Sequence, residues 1–264
     1  PFYFEPGTSL KRHVAVVAEA LTEMLPTEAM IAPKLREAVE LCYLNTGWDI
    51  ERGSCDHTPP RHPDALDFAA AVRDIVGRLN YGEEVNANYR GALESRADVF
   101  TGPAFQDIFG PGQDQSVDGL FPPGKDVILE HESLPPGELN LPAFFLSILL
   151  DRIKASRAPR APDRWLVVVE EAHNVLGREH EVRRAADEAN AGRSLIRSFV
   201  RLLQEGRELG IGVIVSDQSP ALLSRAVIAN TNTKIVLRLE DGEEAAELGR
   251  IMALPEGEWK DLCR

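Results

Sequence analysis

The order of apolar and polar positions divides the chain into two regions of different character. In the first region, apolar residues recur at helical spacing in four tracts. Ser9 can cap the first helix. These predicted helices cover about 9–25, 28–45, 64–79 and 84–100. The sequence therefore predicts an all-helical subdomain over residues 1–100.

In the second region, from Val127 onward, short apolar runs alternate with helical tracts. Strands are predicted at 127–130, 165–170, 211–216 and 233–239, and helices at 139–155, 183–209, 221–229 and 243–252. Strands that alternate with helices favour right-handed βαβ units and a parallel sheet. The predicted fold class is therefore α/β, with a parallel sheet flanked by helices over residues 101–264.

The central predicted strand ends in two adjacent carboxylates. Trp165 to Val169 is a continuous apolar run, and Glu170 and Glu171 follow it directly. Such a run predicts a strand buried on both faces of a parallel sheet, and open α/β sheets build ligand sites at the carboxyl ends of their strands. Adjacent carboxylates repel each other and resist burial, so a cation is expected beside them. The alternative is a strand that ends in a solvated acidic turn.

A Mg²⁺ ion with its bound nucleotide is the commonest cation of this kind. Glu170 would then hold the metal through a water molecule, and Glu171 would orient the water that attacks a γ-phosphate. Gln218 follows the strand 211–216 and can sense the γ-phosphate or orient the same water. Its alternative role is to cap the next helix.

Two arginines are further candidates for contact with phosphate. Arg207 stands near the end of the long predicted helix, where it can cross a subunit interface as an arginine finger or serve the helix dipole. Arg238 lies near the end of the last predicted strand. It either reaches a phosphate or pairs with the acidic residues that follow it.

The net charge of −13, from 29 basic and 42 acidic side chains, argues against a protein that coats nucleic acid with its whole surface. It allows a ring with a locally basic pore. Arg183, Arg184 and Arg193 are candidates for such a pore, where they would contact DNA phosphates without reading sequence. The alternative is a solvated helix whose arginines pair with neighbouring carboxylates.

The apolar runs and the cysteines indicate where in the cell the protein is expected. The longest apolar run, residues 139–150, is about half the length that a bilayer needs, so no membrane segment is expected. Three widely spaced cysteines argue against a disulfide framework and favour the reducing cytoplasm.

Four segments, taken in this order and spacing, resemble the HerA/FtsK superfamily of hexameric ATPases. They are Val-Val-Val-Glu-Glu-Ala-His-Asn at 167–174, Glu-Gly-Arg-Glu-Leu-Gly at 205–210, Val-Ser-Asp-Gln-Ser-Pro at 215–220 and Asn-Thr-Lys-Ile-Val-Leu-Arg-Leu at 232–239. The chain most resembles the HerA-like DNA translocases and the related type IV secretion ATPases. Its helical opening is similar to the insertion that follows the Walker A region in that group.

The resemblance implies a RecA-like core that forms a hexameric ring, hydrolyses ATP between subunits and moves double-stranded DNA, with a nuclease or another effector as partner. Glu170 and Glu171 match the Walker B pair of the superfamily, Gln218 matches its glutamine sensor, and Arg207 matches its trans-acting arginine. Asp217 stands where the family often has Thr or Ser, and Glu208 stands where it usually has Lys.

The Walker A loop of the superfamily has no counterpart in the chain. In the family this loop precedes the region that corresponds to Pro1. Residues 119–125 fit seven positions of a P-loop, but Asp126 replaces the Ser or Thr that binds Mg²⁺, and two prolines remove amide donors. We therefore expect the phosphate cradle upstream of Pro1. Two alternatives remain: an ATPase-like scaffold without turnover, and a secretion or conjugation ATPase.

Overall fold

The structure is a computed structural model, and α-helices hold 58% of the residues that it describes. The described residues are 2–4, 8–24, 31–102, 116–122, 124–130, 141–157, 164–178, 191–255 and 257–263. They belong to two compact units, Pro1–Arg157 with Arg184–Ala191, and Ala158–Arg183 with Gly192–Arg264. The predicted domain organisation, with a helical subdomain over residues 1–100 and a core over residues 101–264 as parts of one ATPase domain, stays a prediction.

The first unit is built mainly from helices. They are α1 (Leu10–Met24), α2 (Ile31–Asn45), α3 (Ala65–Gly77), α4 (Glu83–Thr101), α5 (Val117–Leu120) and α6 (Leu141–Ser156). The four helices predicted in the first hundred residues are confirmed. A small antiparallel hairpin of β1 (Trp48–Asp49) and β2 (Ser54–Cys55), which was not predicted, stands between α2 and α3.

The start of α3 shows how local sequence fixes a helix boundary. The Asp64 side chain accepts hydrogen bonds from the backbone N–H groups of Leu66 and Asp67, and the Asp67 side chain accepts one from the N–H of Asp64. This reciprocal capping box satisfies donors that have no partner inside the helix. Arg61 donates to both oxygens of Asp67, at 2.9 and 2.8 Å, which fixes the approach of the preceding loop.

A row of four phenylalanine rings connects the helices of the first unit. The ring centroids of Phe2 and Phe68 are 5.3 Å apart, those of Phe68 and Phe100 are 6.0 Å apart, and those of Phe100 and Phe144 are 5.3 Å apart. All four rings are buried, so each adds a large apolar area to the core. The Tyr43 hydroxyl donates a hydrogen bond to the backbone oxygen of Phe2, which fastens the amino-terminal segment to this core.

The second unit combines a strand pair with several helices. Its elements are β3 (Trp165–Val169), α7 (His173–Leu176), α8 (Ala191–Leu209), β4 (Ile211–Val215), α9 (Arg225–Asn230), α10 (Gly242–Ile251) and a 3₁₀ helix (Trp259–Cys263). The strands β3 and β4 pair in parallel, with a register that runs from Trp165 beside Ile211 to Val169 beside Val215. The two central predicted strands are therefore confirmed as a parallel pair.

The predicted fold class, an α/β fold with an extended RecA-like parallel sheet, is wrong for the described residues. They contain one two-stranded antiparallel sheet and one two-stranded parallel sheet. The segments 127–130 and 233–239, predicted as further strands, do not join either sheet, and Ile128 and Ile235 are 83% and 86% exposed. Their β-branched composition favours strands, but a strand is held by pairing and burial rather than by composition alone.

The prediction that β3 is buried on both faces is also wrong. Leu166 is 63% exposed, and Val168 and Ile214 on the same strand pair are exposed as well. A strand gains two buried faces only when helices or another sheet cover it on both sides. In the described structure the pair has only two strands, and an apolar row on it stays uncovered.

A tight turn connects α8 to β4. Gly210 adopts the left-handed backbone conformation, with φ of +70°, which is typical of a glycine that ends a helix. A Cβ atom on Gly206 would lie 2.9 Å from the backbone oxygen of Ile211, so only glycine permits this approach of helix and strand. The backbone oxygen of Gly210 also accepts a hydrogen bond from the N–H of Trp165 at 3.0 Å, which starts the pairing of β3 with β4.

None of the helices in the described part of the chain combines the length and the apolar character needed to cross a membrane.

We predict that His62 makes the stability of the first unit depend on pH. Its ring packs against Tyr3 and Trp48, at centroid distances of 4.3 and 5.2 Å, and burial together with the charge of Arg152 lowers its pKa from 6.5 to about 4. Between these values the unfolded chain binds a proton that the folded chain does not, so the free energy of unfolding decreases as pH falls from 6.5 toward 4. After allowance for partial exposure, the expected loss is about 1 to 2 kcal/mol.

Denaturant unfolding of the wild type and of His62→Phe between pH 4 and 7 measures this contribution. The phenylalanine ring cannot take up a proton, so the variant should lose less stability than the wild type over this range. Identical losses in the two proteins would contradict the role of His62.

Candidate functional site

The parallel register brings two loops to one edge of the strand pair. Val169 lies beside Val215, so the residues that follow β3 and those that follow β4 leave the pair side by side. The backbone N–H of Ser216 donates to the oxygen of Val169 at 2.9 Å, which extends the pairing to the edge itself. We call residues 170–173 the acidic loop and residues 216–219 the glutamine loop.

The structure brings Glu171 and Gln218 into direct contact. Gln218 Nε2 donates a hydrogen bond to Glu171 Oε1 at 2.7 Å. Both side chains are exposed, and so is that of Glu170. Three of the residues that were predicted to act on ATP therefore lie at the same edge, within reach of a ligand from solvent. Their roles in catalysis stay predictions.

Backbone hydrogen bonds join the two loops as well. The N–H of Ala172 donates to the backbone oxygen of Ser216 at 3.2 Å, and the N–H of His173 donates to Asp217 Oδ2 at 2.7 Å. Glu171, which precedes these two donors, has a φ of +46°. A residue with a Cβ atom pays an energetic penalty in this left-handed region, and such residues concentrate at functional sites.

Asp217 and His173 form a pair that the sequence analysis missed. The Asp217 side chain is 3% exposed, and its Oδ2 lies 3.0 Å from His173 Nδ1. The same ring nitrogen lies 3.7 Å from Glu171 Oε2. The spacing in the sequence could have indicated this pair. His173 stands four positions after Val169, and Asp217 stands two positions after Val215, so each follows one of two neighbouring strands.

Helix α10 contacts the glutamine loop and the residue that follows α7. The Ser219 hydroxyl donates a hydrogen bond to the Glu244 carboxylate, and Arg178, which follows α7, donates to Glu247 Oε1 at 2.5 Å. The hydrogen bond from Arg178 lowers the pKa of the Glu247 carboxyl group, as does the positive charge of Arg178. One face of α10 therefore holds the glutamine loop and the end of α7 together.

Gly177, between α7 and Arg178, permits this arrangement. It forms an isolated antiparallel bridge with Leu223, and a Cβ atom on it would lie 2.5 Å from the backbone oxygen of His173. That distance is far inside van der Waals contact with a backbone atom, which cannot move without disturbing α7. Only glycine fits here.

The structure does not bring Arg207 or Arg238 to the acidic loop. Arg207 is exposed and lies before the amino end of β4, whereas the acidic loop follows the carboxyl end of β3. Five paired residues separate these two ends, a distance of about 13 Å along the strands. Arg238 is exposed on the segment 233–239, and it forms no hydrogen bond or ion pair with Glu170 or Glu171.

The candidates for contact with DNA fall largely outside the described residues. Arg183 and Arg184 belong to the range 179–190, which the structure does not describe. Arg193 lies on α8, but its side chain is not among those described. The proposed DNA contacts therefore stay predictions.

The predicted Mg²⁺ site at Glu170 stays a prediction. Within the described ranges, no group of three or more His, Cys, Asp or Glu side chains is arranged to hold a metal ion. Magnesium in nucleotide sites commonly uses one or two carboxylates and takes its other ligands from phosphates and water. The exposed Glu170 carboxylate can serve in this way.

Comparison of the chain with models of known protein families gave no match, and comparison with curated protein sequences gave none. The resemblance to the HerA/FtsK superfamily therefore stays a prediction from the sequence segments described above.

We predict that Arg178, rather than Arg225, anchors α10 through Glu247. Arg225 also approaches Glu247 Oε1, but at 3.5 Å and with a side chain that is 75% exposed, against 2.5 Å and 27% for Arg178. A short, partly buried, charge-assisted hydrogen bond contributes more than an exposed ion pair. Arg178→Ala should lower the free energy of unfolding by about 1 to 2 kcal/mol, and Arg225→Ala by less than about 0.5 kcal/mol.

Denaturant unfolding of each arginine variant, of Glu247→Gln and of the two double variants completes a double-mutant cycle for each arginine. Each cycle measures the coupling free energy between that arginine and Glu247. Equal coupling energies would contradict the assignment. Because the pKa of Glu247 is lowered, its contribution should be present near neutral pH and should disappear as pH falls below 4.5.

Proposed function

We propose that the protein is an ATPase of the HerA-like kind that couples ATP hydrolysis to movement on double-stranded DNA. The observation that carries this proposal is the 2.7 Å hydrogen bond between Gln218 and Glu171 at the carboxyl edge of a parallel strand pair. These are the residue types that nucleotide hydrolases use to orient the attacking water. The proposal rests on this site and on the sequence motifs, and not on an extended parallel sheet.

Each residue at the edge has a distinct task in this proposal. Glu171 orients the attacking water through its carboxylate and receives the proton that the water loses. Gln218, already bonded to Oε1 of Glu171, leaves Oε2 for the water and can turn its amide toward the γ-phosphate. Glu170 would hold Mg²⁺, which supplies charge neutralisation at the phosphates when bound.

A neighbouring subunit completes the site. Arg207 lies near the opposite end of the strand pair from Glu171, so it does not act on the site of its own chain. Its exposed position at the end of α8 suits an arginine finger that reaches the site of the next subunit. A closed ring, a hexamer by resemblance, places each arginine at the site of a neighbour.

The remaining parts of the proposal concern location and partners. We place the protein in the cytoplasm, with double-stranded DNA in the ring and a nuclease or another effector as partner. Arg183, Arg184 and Arg193 are the proposed contacts with the DNA backbone. Such contacts neutralise phosphates, so binding should weaken as salt concentration rises.

We predict that Glu171→Gln abolishes ATP hydrolysis. Glutamine keeps the size and the hydrogen-bonding oxygen of the side chain but cannot accept a proton, so kcat should fall by about 100-fold or more. The measurement is steady-state ATP hydrolysis by the full-length protein, with and without duplex DNA. Glu84→Gln, at an exposed glutamate of α4 in the first unit that has no part in the proposed site, is the matched control and should keep its activity.

Two outcomes would overturn the proposal. One is a wild-type protein that hydrolyses no ATP under any of these conditions. The other is a Glu171→Gln variant that hydrolyses ATP at the wild-type rate, because Glu171 would then have no part in the reaction.

A further inference from the structure

We propose that Asp217 is a positioning residue that holds Glu171 in its working conformation by fixing the start of α7. The inference rests on the proposed ATPase function and extends it to a residue that the motifs do not assign. Asp217 lies in the glutamine loop, whereas Glu171 lies in the acidic loop. The side chain of Asp217 is a direct connection between the two.

Both oxygens of Asp217 are used for positioning. Oδ1 accepts a hydrogen bond from the backbone N–H of Ser219 at 2.9 Å, which shapes its own loop. Oδ2 accepts one from the backbone N–H of His173 at 2.7 Å and lies 3.0 Å from His173 Nδ1. The carboxylate is 3% exposed, so water does not compete for these bonds. A side chain with this arrangement fixes the distance between the two loops.

The connection matters because Glu171 is held in an unfavourable backbone conformation. Its φ of +46° lies in the left-handed region, which a residue with a Cβ atom rarely adopts, and such a conformation persists only where neighbouring contacts impose it. Ala172 and His173, the two residues that follow Glu171, are tied to Ser216 and Asp217. Loss of the Asp217 bonds would free the start of α7 and allow Glu171 to relax.

Asp217 also sets what surrounds the Glu171 carboxylate. Gln218 Nε2 lies 2.7 Å from Oε1, and His173 Nδ1 lies 3.7 Å from Oε2. His173 Nδ1 also lies 3.0 Å from Asp217 Oδ2, so Asp217 holds the ring near Oε2 of Glu171. Each oxygen of the carboxylate therefore has a defined neighbour. The Gln218 amide binds Oε1, and the His173 ring, which Asp217 positions, lies near Oε2.

The experiment compares ATP hydrolysis by full-length wild type, Asp217→Ala and Asp217→Asn. In Asp217→Ala, kcat should fall at least about tenfold while the KM for ATP stays within about twofold, because misplacement of Glu171 slows the reaction without touching the nucleotide. Asparagine keeps one acceptor oxygen of the same shape, so Asp217→Asn should show an intermediate kcat.

Asp64→Ala is the matched control. Asp64 also accepts hydrogen bonds from two backbone N–H groups, those of Leu66 and Asp67 at the start of α3, but it belongs to the first unit and has no part in the proposed site. Its removal costs capping energy of a similar kind, and kcat should stay at the wild-type value. If Asp217→Ala does not fold, Asp217→Asn carries the test, with a reduced kcat and an unchanged KM as the expected result.

The outcomes separate the two proposals. A wild type without ATP hydrolysis overturns the proposed function, and the role of Asp217 falls with it. An active wild type with the same kcat in the folded Asp217 variants overturns the positioning role alone. An equal loss of kcat in Asp64→Ala also overturns it, because the effect would then come from general destabilisation of the protein.

Discussion

The parallel, in-register pairing of β3 with β4 is the constraint on which the candidate site depends. It sets Val169 beside Val215, and every contact between the acidic loop and the glutamine loop follows from that alignment. A shift of register by one residue would exchange the faces of all side chains on one strand and separate Glu171 from Gln218. The pairing is itself fixed at its other end by the turn at Gly210 and by the close approach that Gly206 permits.

The site then depends on how firmly the two loops are joined. Hydrogen bonds from Ala172, His173 and Gln218 cross between them. Helix α10 adds a contact with the glutamine loop through Glu244 and one with Arg178, after α7, through Glu247. The left-handed backbone of Glu171 indicates that these contacts impose a conformation which the residue would not adopt alone. In the proposed reaction Glu171 is the general base, and a base that is fixed before the substrate binds loses less free energy to reorganisation.

Prediction from the sequence succeeded where the signal was local and failed where it depended on distant partners. The helices of the first hundred residues were predicted because apolar residues recur at helical spacing and residues such as Ser9 precede them. The contact of Glu171 with Gln218 was accessible because both residues follow apolar strands. The prediction of an extended parallel sheet was wrong. The apolar composition of 127–130 and 233–239 favours strands, but it does not show whether another strand pairs with them. The pair of Asp217 and His173 was missed because the sequence motifs assign no role to either residue.

The most direct test of the account is whether Mg²⁺ and an ATP analogue act on the two loops at this edge. Hydrogen–deuterium exchange of the full-length protein, with and without magnesium and a non-hydrolysable analogue, measures this at the backbone amides. The account predicts slower exchange at residues 170–173 and 216–219, because a nucleotide bound against Glu171 and Gln218 would restrict the opening of both loops. Protection elsewhere in the chain with unchanged exchange in both loops would contradict it.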